Sequence, residues 1–167
     1  MSLAICPGSF DPLTLGHLDI ISRAARMFDS VVVVVMFNSG KSPAFTVEER
    51  YAFIRKSVAG IPNVEVDTYE GLLADYCALR GADAVVRGLR VMSDFEYEFQ
   101  MALTNNSLHP QTETIFLPAN REYMFLSSSV VREIARFGRD ISPFVPPEIA
   151  LDIQARLCGK EKQHERG

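Results

Sequence analysis

Five consecutive valines followed by a methionine and a phenylalanine, Val31 to Phe37, constrain the fold of this chain more than any other feature. The run is β-branched, apolar on every side and far too short to span a bilayer. A strand that avoids water on both faces belongs in the middle of a sheet covered on both faces, and such sheets are parallel. The rest of the chain supplies the covers. Residues 3–6 read as a first short strand, 64–69 as a third, 82–86 as a fourth and 113–117 as a fifth. Between them, helical spacing predicts a helix over 17–28 that buries Leu18, Ile21, Ala25 and Phe28. The capping box Thr46-Val47-Glu48-Glu49 opens a helix to about residue 58. Further helices are expected over 72–80 before Gly81, from a second capping box at Ser93-Asp94-Phe95-Glu96 with Phe95, Phe99 and Leu103 on one face, over 127–137 before Gly138, and from Pro146-Pro147 to about Leu157. The expected fold class is therefore α/β. It is a single doubly wound, Rossmann-like domain over residues 1–158, with a five-stranded parallel sheet and helices on both faces. The charged residues 159–167 are expected to be a frayed tail.

Composition excludes some functions. The 167 residues carry a formal net charge of -4, which disfavours a general nucleic-acid binder. The N-terminus lacks a basic segment followed by a long apolar stretch, so no signal peptide and no membrane partner are expected. Cys6, Cys77 and Cys158 are odd in number and widely separated, which fits a reducing, cytoplasmic setting rather than a disulfide framework.

In open α/β sheets, ligands bind beyond the carboxyl ends of the strands. Polar groups suited to phosphate do follow the expected strands. After the first comes Gly8-Ser9-Phe10-Asp11-Pro12-Leu13-Thr14-Leu15-Gly16-His17, a strand–turn–helix junction. Helix N-termini favour phosphate through free N–H groups and the positive dipole end. Gly16 leaves the backbone open to a ligand, and His17 puts an imidazole donor at that mouth. After the second strand comes Asn38-Ser39-Gly40-Lys41-Ser42, after the fourth Arg87-Gly88-Leu89-Arg90, and after the fifth a loop ending in Ser127-Ser128-Ser129. Each has a plainer reading. Lys41 can be a solvated loop lysine, the serines an N-cap run, and the two arginines partners of Asp94 or Glu98. Their convergence on one sheet edge is the informative pattern. Neither a G-x-x-x-x-G-K-[ST] nor a G-x-G-x-x-G stretch is present, and no Ser-His-Asp or Cys-His arrangement is suggested. A phosphate-binding edge without an evident protein nucleophile points to direct phosphoryl or nucleotidyl transfer.

The first motif resembles the nucleotidylyltransferase superfamily, whose signature is (H/T)xGH. With Arg87-Gly88-Leu89-Arg90, Asp94-Phe95-Glu96-Tyr97-Glu98 and Ser127-Ser128-Ser129, nearly the whole chain is similar to the bacterial phosphopantetheine adenylyltransferase family. That resemblance implies adenylyl transfer from ATP to 4′-phosphopantetheine, giving dephospho-coenzyme A and pyrophosphate, with Mg2+ on the ATP phosphates and no metal ligands from protein side chains. It implies that His17 stabilises the α-phosphate, that Lys41 and Arg87 hold the attacking phosphate, and that Arg90 binds the ATP phosphates. Ser9 would lie between the substrates, and Leu73 and Asn105 along the pantetheine arm. The ATP side would comprise Phe10, Gly88, Leu89, Glu98 and the loop Tyr123, Met124, Phe125, Leu126, Ser127, Ser128 and Ser129. Cys6 and Tyr123 stand where the family often has tyrosine and tryptophan. A homohexamer and feedback inhibition by coenzyme A are further implications of the resemblance. The alternatives are another small nucleotidylyltransferase with a different acceptor, and a nucleotide-binding module without catalysis.

Overall fold

The computed structural model describes residues 1–37 and 42–158. Asn38 to Lys41 and the expected tail at 159–167 lie outside the described residues. Five strands, β1 (Leu3–Gly8), β2 (Ser30–Phe37), β3 (Val64–Glu70), β4 (Ala84–Leu89) and β5 (Glu113–Pro118), form one all-parallel sheet in the order β3-β2-β1-β4-β5. The helices are α1 (Leu15–Met27), α2 (Val47–Val58), α3 (Leu73–Arg80), α4 (Met92–Leu108), α5 (Ser128–Arg136) and α6 (Pro147–Cys158).

The valine run shows why both faces must be covered. Val31, Val33 and Val35 join Ala4 and Cys6 beneath α1, α2, α5 and α6 in the larger core. Val32 and Val34 point the other way, joining Ile5, Val85 and the α3 residues Tyr76 and Cys77 in a smaller one. Successive side chains of a strand alternate faces, so one uninterrupted apolar run feeds two cores. In α1 the fully covered side chains are Ile20, Ile21 and Ala24, one position displaced from part of the expected set, with Leu18, Ala25 and Phe28 packed at the edge.

Two expectations need correction. The fourth strand starts later and runs further than expected, to Leu89, so Arg87, Gly88 and Leu89 belong to the strand and only Arg90 follows it. The capping box at Ser93 does not form. Helix α4 begins at Met92 after Val91 without a side-chain cap, and Asp94 instead accepts from the Arg90 guanidinium, Nε at 3.1 Å. Because the helix starts at Met92, Ser93 lies inside its first turn and not at the cap position. No residue of α4 is buried, although Phe95 stacks on Phe99 at 5.4 Å and meets Phe116 of β5.

The first capping box is present as expected, with Thr46 Oγ1 accepting from Glu49 N–H and Glu49 accepting from Thr46 N–H. Gly81 ends α3 at φ 61°, a left-handed position that glycine takes without steric cost.

Candidate active site

The sequence order of the sheet reverses at β1, which lies between β2 and β4. Chain connections leave opposite faces at such a point and open a crevice there. The pairing of β1 with β4 covers only Ala4–Ala84 and Ile5–Val85. Beyond those pairs Cys6, Pro7 and Gly8 face Val86, Arg87 and Gly88 across a cavity of about 470 Å³. Pro7 has no N–H to give to a ladder. Its carbonyl instead accepts from Arg87 Nη1 at 2.6 Å, so a guanidinium spans the gap where the strands part.

The floor of the cavity is the turn after β1. Phe10 sits at φ 47°, a conformation that costs a non-glycine residue energy and must be held in place. Five hydrogen bonds, from the segment before α2, from α2 and from α5, hold it. Asp11 accepts from the backbone N–H groups of Ala44 and Phe45, both at 2.9 Å. The fully buried Arg50 of α2 donates to Ser9 O at 2.8 Å. Arg132 of α5 donates to Asp11 O at 2.6 Å, and Ser128 Oγ to Pro12 O at 2.7 Å. The Phe10 ring is itself buried and meets His17 edge-on at 5.2 Å.

His17 occupies the third position of α1. Thr14 is the N-cap, and its N–H donates to His17 Nδ1 at 3.1 Å while its hydroxyl accepts from His17 N–H. The bond to Nδ1 has one chemical meaning. An imidazole that accepts at Nδ1 is neutral and carries its proton on Nε2. Removal from water, then the charges of Arg87 and Arg90, push the imidazole pKa down to about 4. The ring therefore enters the cavity as a neutral hydrogen-bond donor fixed in one tautomer.

The remaining walls come from β4, α4 and the segment after β5. Arg87 donates from Nε and Nη2 to both Glu98 oxygens at 2.7 and 2.6 Å. Arg90 pairs with Asp94 and reaches Leu126 O at 3.0 Å. The plainer reading of the two arginines is thus realised as well: both line the cavity, and both are held by α4 carboxylates. Gly88 is open because a Cβ there would lie 3.0 Å from Ile20 of α1. At Gly16 an added Cβ would stand 3.5 Å from the Tyr123 Cβ, an ordinary contact distance, so packing there does not demand glycine. Ser127 is the N-cap of α5, its hydroxyl accepting from Val130 N–H at 3.2 Å, so the N-cap reading is correct for that serine. With Ser128 Oγ bonded to Pro12, this helix start has chiefly backbone N–H groups left for a ligand.

The cavity gathers Ser9, Phe10, His17, Arg87, Gly88, Arg90, Glu98, Tyr123, Leu126, Ser127 and Ser128 from the expected set. It does not gather the others. Leu89 is at the end of β4, where its carbonyl accepts from Ala119. Met124 and Phe125 are exposed, and Ser129 turns to Arg132. Leu73 packs at the smaller core, and Asn105 lies along α4. Lys41 lies outside the described residues. Sequence reading missed Arg50 and Tyr97, gave Thr14 no role, and had Asp94 only as a partner of the arginines. Two of these left a signal: Thr14-x-x-His17 has capping-box spacing with histidine in the acid's place, and Arg50 falls on the apolar face of α2 near Phe53 and Ile54, where a charge needs a partner. Burial pushes the Cys6 thiol up to about 12, so it is an unreactive part of the wall. Among the described residues no group of three acidic, cysteine or histidine side chains could hold a metal ion.

Comparison with known proteins gives this cavity a lineage. The cytidylyltransferase-like family model matches residues 5–134. A protein of Nostoc punctiforme named phosphopantetheine adenylyltransferase is 57% identical over 151 residues, covering 90% of this chain and 82% of its own length. One of the same name from Heliobacterium modesticaldum is 49% identical over 167 residues, covering 100% and 97%. A crystal structure from Vibrio parahaemolyticus, provisionally assigned as a nicotinate-nucleotide adenylyltransferase, superposes with a TM-score of 0.67 at 19% identity over 93% of this chain and 96% of its own. At that identity the likeness speaks for the fold alone. The full-length match to the Heliobacterium protein, together with a neutral, pre-set histidine at the switch-point cavity, shows that the chain belongs to the phosphopantetheine adenylyltransferase family of nucleotidylyltransferases.

Proposed function

We propose that this chain transfers the adenylyl group of ATP to 4′-phosphopantetheine, releasing pyrophosphate and forming dephospho-coenzyme A. The observation that carries the reading is the 49% identity to a phosphopantetheine adenylyltransferase over the whole chain, with His17 fixed in the cavity. The acceptor phosphate attacks the α-phosphorus in line; the new P–O bond forms as the bond to the pyrophosphate oxygen breaks. Charge grows on the non-bridging α-oxygens and on the leaving group. His17 Nε2–H donates to the α-phosphate as that charge develops, and the Thr14 amide keeps the proton on that nitrogen. Arg87 holds the attacking phosphate with the guanidinium hydrogens not taken by Glu98 and Pro7, and Lys41 assists. Arg90 and the backbone N–H groups at Ser128–Ser129 take the ATP phosphates. Ser9 lies between the two substrates, and Leu73 and Asn105 face the pantetheine arm.

The two carboxylates nearest these groups, Asp94 and Glu98, are already occupied by arginines. Magnesium would accordingly be carried on the triphosphate, where it would supply charge neutralisation. The same reading includes a homohexamer, inhibition by coenzyme A and a cytoplasmic setting. In support of assembly, α4 turns Met92, Tyr97, Phe99, Leu103 and Leu108 to the surface. No described helix is long and apolar enough to cross a membrane.

Substitution of His17 tests the chemistry. His17→Ala is expected to lower kcat by about 10²–10³-fold, as for loss of one preorganised transition-state donor. ATP affinity measured by calorimetry is expected to stay within about threefold. Equal losses in binding and turnover would contradict the role.

A further inference from the structure

The cavity wall opposite β1 is built from the segment that follows β5, residues 119–127, which includes a single 3₁₀ turn at Arg121–Tyr123. Ala119, Tyr123, Leu126 and Ser127 of this strap line the cavity. The strap's own backbone bonds, from the N–H groups of Tyr123, Met124 and Leu126 to the carbonyls of Asn120, Arg121 and Tyr123, all lie within residues 120–126, so its position on the rest of the protein depends on how its ends are fastened.

The far end is fastened by site residues themselves. Arg90 donates to Leu126 O, and Ser128 Oγ to Pro12 O. The near end is fastened by groups that no motif includes. Asp19 of α1 accepts from Asn120 Nδ2 at 2.7 Å through Oδ1. Its Oδ2 accepts from Arg23 Nη1 at 3.2 Å, and the same Arg23 nitrogen donates to Pro118 O at 2.8 Å. Asp19 and Arg23 are one helical turn apart, and their side chains are about four-fifths covered (relative exposures 17% and 22%). None of Asp19, Arg23 and Asn120 lines the cavity. They stand behind the wall, and α1, to which they tie it, also carries His17.

We infer that Asp19, with Arg23 and Asn120, is a positioning group for the nucleotide side of the site: it sets the 119–127 strap at a fixed distance from His17. The inference rests on the reading of that side as the ATP subsite. The rigid body of α1 then carries both the donor to the reacting phosphate and the anchor of the nucleotide wall. Small misplacements of a substrate relative to a catalytic group are costly in rate, which gives the clasp its value. The effect should be confined to one substrate. Arg87 and the turn after β1 are tied down by Glu98, Asp11, Arg50 and Arg132, and do not depend on Asp19.

The test compares Asp19→Ala, Asp19→Asn and Asn120→Ala with the unaltered protein. Calorimetry would give affinities for ATP and for 4′-phosphopantetheine separately, alongside steady-state KM and kcat. Asp19→Ala is expected to weaken ATP about five- to tenfold and to raise its KM similarly, the loss of one to two partly covered hydrogen bonds. The affinity for 4′-phosphopantetheine is expected to change less than twofold. Asn120→Ala should reproduce part of the ATP effect. Asp19→Asn keeps an oxygen for Asn120 and should recover most of it. A lower melting temperature with no split between the two substrates would overturn the inference, as would unchanged ATP affinity in Asp19→Ala. If the unaltered protein binds ATP but forms no dephospho-coenzyme A, the assigned reaction fails, while the clasp is still judged on ATP affinity.

Discussion

At the scale of the single residue, His17 shows how a backbone bond sets chemistry. The Thr14 N–H fixes the tautomer, and the cavity with its two arginines depresses the pKa to about 4. Two consequences follow for pH. The ring is already neutral throughout the range where an ordinary histidine titrates, so activity should show no acid limb near pH 6.5 assignable to His17. A pH–rate profile of kcat/KM from pH 5 to 8, which reports groups of the free enzyme, checks this, and a limb near 6.5 that vanishes in His17→Gln would contradict it. For stability the sign runs the other way from a salt-bridged histidine. Between about pH 4 and 6.5 the unfolded chain binds this proton and the folded protein does not, so stability from this residue falls as pH drops through that window. His17 was legible in the sequence because its spacing from Gly16 and the turn is distinctive. Thr14 was not, because a threonine before a helix has a capping role in any protein, and only the geometry shows what it does to the imidazole.

At the scale of the element, α1 and β4 make the site by lying close together. Gly88 permits it: an added Cβ would meet Ile20 Cγ1 at 3.0 Å. Gly88→Val should force the helix away from the strand and cost about 1–3 kcal/mol, the usual range for overpacking. Urea unfolding checks this, and Ile20→Ala in the Gly88→Val background should relieve much of the strain. If Gly88→Val is as stable as the parent, the close approach of α1 and β4 is not a constraint. The sequence marked the strands and most of the helices through hydrophobic period and caps. It misplaced the end of β4 and the cap of α4, each for its own reason. Arg87 looks like a boundary residue, a charge after a strand, and Ser93 and Glu96 have capping-box spacing. In the fold Arg87 is claimed by Glu98 of α4, and α4 starts at Met92, so Ser93 lies inside the first turn rather than at the cap. The strap after β5 was legible only as a loop with serines at its end, since its fastening by Asp19 and Arg23 joins residues about a hundred positions apart.

At the scale of the whole molecule, the valine run already implied a doubly covered parallel sheet, and the order β3-β2-β1-β4-β5 puts the cavity at its reversal point. Among the described α-helices α4 alone has no buried residue, and it carries both carboxylates that hold the site arginines while showing an apolar surface outward. Apolar surface of that kind on a globular protein marks an interface. Sedimentation equilibrium should return the mass of six copies rather than the 18.6 kDa of one, and Leu103→Asp should shift it downward. A single-copy mass for the unaltered protein would contradict the assembly. The central claim is the reaction itself, and it is tested most directly by pyrophosphate release from ATP and magnesium, with and without 4′-phosphopantetheine. The account predicts release only when 4′-phosphopantetheine is present, with dephospho-coenzyme A formed in equal amount. Binding of ATP with no release under those conditions, or release that is indifferent to the acceptor, would contradict it.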